Sequence, residues 1–139
     1  MTTDQINRAM AELEGYKVIC ASPEQLGHGA DEFPWRLISP SGRQVGTWWQ
    51  TKDGALSHGI PDYTTDLNAV HRVEERLFIA ESQWAKYGYQ LQETIRRYAV
   101  GVVPYYERDL ASIGKLAHAT ALQRCEAILR VMGKWEESQ

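Results

Sequence analysis

The sequence predicts an α+β fold, an antiparallel β-hairpin sheet packed with about four amphipathic helices. Three observations carry this. Apolar residues recur at helical period in segments that begin on capping residues and stop at glycine. Trp35–Ser39 and Gln44–Gln50 are short β-rich runs joined by Pro40-Ser41-Gly42-Arg43, which has turn chemistry. The 139 residues contain no repeat or linker, so residues 1–139 form one domain with one core.

The first helix is expected over Thr3–Glu14. Thr2 and Gln5 have capping-box spacing, Ile6, Ala9, Met10 and Leu13 share a face, and Gly15 supplies the left-handed stop. Tyr16–Ala21 is a strand, and Ser22–Pro34 a loop with His28 between two glycines. The hairpin follows. Its Trp48 and Trp49 are adjacent and so face opposite sides of a sheet, one toward the core and one away. Lys52-Asp53-Gly54 is expected as a turn, and Ala55–Ile60 as a connection.

Thr65 is the expected N-cap of the next helix, with Asp66 favouring the positive helix end. Leu67, Val70, Val73, Leu77 and Phe78 form its apolar stripe. His71 flanks it, and Asn68 and Arg72 lie on the polar side. After a break near Ala80–Ser82, Trp84, Tyr87, Leu91, Ile95 and Tyr98 mark another helix, ended by Gly101 and Pro104. Val102–Ala117 carries Tyr105-Tyr106 and suits a short strand or a helical turn. The last helix starts at the capping pair Thr120 and Gln123. Its expected buried face is Leu122, Cys125, Ile128, Leu129 and Met132, and it stops at Gly133.

Composition narrows the function. A net charge of −3 argues against a duplex nucleic-acid binder, which carries a basic field. No apolar run approaches the roughly 20 residues that span a bilayer, and the polar opening Met1–Gln5 is no signal peptide. Cys20 and Cys125 suit reduced, packed thiols of a cytoplasmic protein. No nucleophile elbow, phosphate loop or dinucleotide fingerprint is present, and the four histidines lie far apart. A metal site from His58, Asp62 and Asp66 lacks any recognised ligand spacing. The expectation is therefore a protein that is not an enzyme and has no cofactor, metal or catalytic residue.

For binding the materials are better. Five Trp and seven Tyr against two Phe favour surfaces that bury area and keep a polar handle. Arg124 lies in the first turn of a helix, near Thr120 and free backbone N–H groups, and suits a small anion. An ion pair with Asp62 or Asp66 is its structural alternative. Thr65 and Asp66 mark a second helix start. Trp48, Trp49, Tyr63 and Trp135 are candidate stacking rings, and Asn68 and His71 candidate readers of polar edges. The surplus of aromatics and apolar stripes over a small core predicts a homo-oligomer.

Two blocks carry a family resemblance. Asp62-Tyr63-Thr64-Thr65-Asp66-Leu67-Asn68-Ala69-Val70-His71 and Ala119–Ala127 through Gly133-Lys134-Trp135-Glu136 resemble, in that order, the conserved blocks of small phage and prophage proteins. Ile6–Tyr16 is similar to their opening helix. This is the phage ABA sandwich domain family. The resemblance implies a small α/β sandwich in the cytoplasm of an infected bacterial host, and no particular reaction. Small phage proteins of this kind often counter host defence. One strategy is a sponge, a non-enzymatic oligomer that sequesters a nucleotide-derived immune signal. By that analogy Arg124 and Thr120 hold phosphate, Asn68, His71 and Asp66 lie beside them, and Trp48, Trp49 or Tyr63 stacks on a base. The alternatives are a module that inhibits a host defence protein directly and an enzyme that degrades the signal.

Overall fold

The computed structural model describes residues 1–20, 34–98 and 119–137. In chain order these form α1 (Thr3–Glu14), β1 (Lys17–Cys20), β2 (Trp35–Ile38), β3 (Gln44–Trp49), α2 (Lys52–His58), α3 (Leu67–Leu77), α4 (Glu81–Tyr98) and α5 (Ala121–Val131). The fold is α+β. Ala21, the His28 loop and the Gly101–His118 stretch with Tyr105-Tyr106 lie outside the described residues.

α1 has the expected ends. Thr2 and Gln5 close a reciprocal capping box, and Gly15 turns out of the helix at φ +112° while its N–H returns to Ala11 and Glu12. The L-residue penalty at such φ explains why glycine stands there. α5 repeats the design, with a Thr120–Gln123 capping box and a left-handed Gly133 at φ +69°.

The strands form an antiparallel sheet in the order β1-β2-β3 among the described residues. Ser39 and Arg43 close the hairpin, with Gly42 at φ +85°. Trp35 pairs with Trp49 but Leu37 with Val45, so β3 holds a bulge, marked by Gly46 at φ +68°. Leu37 and Trp49 face α2, where both approach Gly59. Trp48 lies on the opposite face under the Arg36 guanidinium, 5.0 Å from its ring centroid.

The expected turn at Lys52-Asp53-Gly54 is instead the start of α2, capped by the Thr51 side chain on the Gly54 N–H. Gly54 disfavours a helix by about 1 kcal/mol, but Ala55 is fully buried against the sheet and tertiary packing decides. The fold thus has five described helices, one more than the sequence suggests.

α1, α3, α4 and α5 pack around one apolar core that includes Ile6, Met10, Tyr63, Val70, Val73, Phe78, Tyr87, Leu91, Cys125, Ile128 and Leu129. Some expectations of burial need correction. Leu67, Trp84, Leu122 and Met132 are exposed, since each sits at the margin of its stripe. Cys20 is also exposed, at the end of β1. The N-cap of α3 is Asp66, not Thr65: the Asp66 carboxylate accepts from the Asn68 and Ala69 N–H groups, while the Thr65 hydroxyl turns back to the Asp62 carbonyl.

Candidate functional site

Among the described residues three glutamates are buried in the helical body, and basic side chains gather on them. Glu74, on α3, accepts from Arg124 Nη1 at 3.0 Å and from the Tyr87 hydroxyl through Oε1, and pairs with His71 Nδ1 at 2.6 Å through Oε2. The Arg124 side chain is 13% exposed, so this charge is largely withdrawn from water. Burial is the largest influence raising the Tyr87 hydroxyl above its ordinary range, and the Glu74 charge adds to it. Tyr87 therefore stays a proton donor.

Glu14, at the end of α1, repeats the pattern. It accepts from the Tyr63 hydroxyl and from Arg72 Nε at 2.7 Å. Burial first, and then the hydrogen bond to Glu14, push the Tyr63 hydroxyl far up. Arg72 is half exposed here, unlike Arg124. Glu126, on α5, accepts from Arg130 Nε at 2.8 Å, and Arg97 stands 4.0 Å away. Arg130 also lies over the Trp135 ring.

These glutamates escaped the sequence reading. Their signal was an acid at an apolar stripe position: Glu14 follows Ile6 and Met10 at helical spacing, and Glu74 adjoins Val70, Val73 and Leu77. A carboxylate there must find cationic or hydroxyl partners inside, because an unpaired buried charge is costly.

The structure brings Arg124 and His71 together, but on Glu74. Arg124 is in an ion pair, with Glu74 rather than with Asp62 or Asp66. Asn68 lies exposed one turn before His71. Thr120 caps α5 and Asp66 caps α3, so both side chains have structural bonds. Tyr63 is fully buried and presents no ring to a ligand, a correction to its expected stacking role. Trp48 and Trp49 are half-buried on opposite faces of the sheet, and Trp49 stacks on His58 at 6.5 Å. Burial pushes the Cys125 thiol up to about 12, and it donates to the Tyr63 carbonyl. At neutral pH it is not a thiolate. Among the described residues no three His, Cys, Asp or Glu side chains are grouped to hold a metal, and no helix is long and apolar enough to cross a membrane.

Among the described residues, two grooves lie along α1. Between α1, β1 and α2 is a groove of about 360 Å³, lined by the apolar Ala9, Ala11, Val18 and Leu56 together with Tyr16 and Lys52. A second groove of about 470 Å³ flanks α1 on the side of Gly133 and Lys134. In the second, Lys134 is 3.1 Å from Glu12, and the Met1 ammonium bonds the Glu136 carbonyl. Comparison with protein-family models, with curated proteins and with solved structures found no match to this chain.

Proposed function

We propose that this protein is a non-enzymatic binding protein that takes up a small nucleotide-derived ligand, in the manner of a phage-encoded sponge for a host immune signal. The phage setting rests on the two sequence blocks that resemble the phage ABA sandwich domain. One structural observation favours binding over catalysis. Among the groups best suited to chemistry, Arg124, Tyr87 and Cys125 are engaged inside the fold and the exposed His71 is paired with Glu74, while a groove of ligand size stays open between α1 and α2. Incubation with cyclic ADP-ribose isomers, cyclic oligonucleotides and mononucleotides, followed by heat release, should return one of them intact. A chemically altered product would make the protein an enzyme. Absence of any binding at micromolar concentration would overturn the reading.

A protein-interaction module is the second reading, favoured by the corner between α3 and α4. Ile79 is 84% exposed there, beside the partly exposed Trp84. Such a corner suits an anchor in a partner's pocket or a contact between copies of a homo-oligomer. Light-scattering mass and pull-down from host lysate test it, and a monomer that captures nothing would remove it.

A further inference from the structure

Resting on that reading, we infer that the groove between α1, β1 and α2 is the ligand site, that Lys52 holds the ligand's anionic group, and that the ligand is the size of one mononucleotide. The first support is charge. Arg8 reaches the groove, but its guanidinium is already held by Asp4 at 2.8 Å, Asp53 at 2.9 Å and the Ser57 hydroxyl at 2.9 Å. Glu12 is bridged by Lys134 from the far side of α1. Lys52 is different: no hydrogen bond or ion pair joins its ammonium to any described residue. Its neighbour Asp53, the nearest acid in sequence, is turned to Arg8. Among the described residues, the groove therefore keeps one positive charge that no acid pairs with.

The second support is shape and chemistry. Ala9 is small and partly exposed on α1, and with Val18 and Leu56 it gives the groove an apolar lining. A planar ring can lie on such a lining, beside the half-buried Tyr16 ring. Burial, with the Glu14 charge behind it, raises the Tyr16 hydroxyl above its ordinary range, so it remains a donor to a polar ring edge. The volume of about 360 Å³ lies at the low end of small-molecule sites, which start at roughly 300 Å³. A volume of that size matches one base with its sugar and phosphate rather than a cyclic oligonucleotide.

Calorimetric titration with the four ribonucleoside monophosphates and their parent nucleosides tests this on the full chain. At least one monophosphate should bind, and its nucleoside should bind about tenfold or more weakly, as expected for losing a charge-assisted hydrogen bond. Lys52→Met should weaken the monophosphate by a similar factor and leave the nucleoside unchanged. Ala9→Leu, which fills the groove, should abolish both. Lys52 is exposed, so its variant keeps the fold. No monophosphate binding, or a Lys52→Met protein that binds the monophosphate as tightly as the parent, overturns the inference. If cyclic oligonucleotides bind while monophosphates do not, the groove assignment fails but the binding function stands. If nothing binds, both fall.

Discussion

The helical body and the sheet layer handle polar groups in opposite ways. The body of α1, α3, α4 and α5 places Glu14, Glu74 and Glu126 among its apolar side chains and gives each a basic partner, Glu14 and Glu74 from other helices and Glu126 chiefly from Arg130 on its own. In the sheet layer, Leu37 and Ala55 are the fully buried apolar side chains among the described residues of β1–β3 and α2. Trp48 and Arg36 share the face turned from α2. The body is thus cross-linked by ion pairs joining elements distant in sequence, such as Glu74 with Arg124 and Glu14 with Arg72. The sheet layer is held by hairpin bonds and by one short helix. The junction between them is where the two grooves on α1 converge, sharing Arg8, Ala9 and Glu12. Among the described residues, the buried ion pairs belong to the body, and both grooves border α1.

The sharpest way to break this comparison is Glu74→Ala. It removes the carboxylate that the Arg124 guanidinium and the Tyr87 hydroxyl share in the interior, and should cost about 3–5 kcal/mol in urea unfolding. A loss below 1 kcal/mol would mean that the glutamate contributes little to the body.

Gly59→Ala addresses the sheet layer. A Cβ there would clash with Leu37 Cδ2 on the sheet and stand 2.8 Å from the Ala55 carbonyl oxygen of α2 itself, so both the end of α2 and its packing on the sheet must shift. Overpacking of this kind costs about 1–3 kcal/mol. Hydrogen exchange should quicken at β2 and β3 amides and stay slow in α3 and α5. Equal acceleration in both would show that the two regions open as one unit.

The smallest effect at neutral pH is alkaline lability of the body. Cys125, Tyr63 and Tyr87 all have raised folded pKa values, each chiefly through burial. A raised group lends stability that is fully present below its unfolded value and is lost as pH climbs through its folded one. For the thiol that window opens near 9.0 and extends to about 12, and the tyrosines follow from about pH 10 upward. Melting temperature should therefore fall steadily above about pH 9. A flat profile through that range would show these groups to be accessible to water.

How much was legible follows the range of the interactions. Thr2, Gln5 and Gly15 bound α1 through contacts within a few residues, and Thr120, Gln123 and Gly133 do the same for α5. The adjacent Trp48 and Trp49 had to divide between two faces, but which one meets α2 depended on the bulge at Gly46. α2 was missed because Gly54 argues against a helix locally and only the burial of Ala55 overrides it. The choice of Asp66 over Thr65 as cap turned on one residue of backbone direction. For the site, the sequence marked Arg124 and His71 as functional groups without knowing what stood across from them.

The sequence by itself determined the ends of α1 and α5 and the centres of the apolar faces, because capping, glycine φ and periodicity act within one or two turns of chain. Only the tertiary structure decided that Arg124, Tyr87 and His71 converge on Glu74, and that Lys52 is left over in the lining of a groove. Whether a charge is spent inside the fold or offered to a ligand depends on which opposite charges the packing brings within about 4 Å of it, and those partners here lie 50 residues or more away in the chain for Arg124 and Arg72.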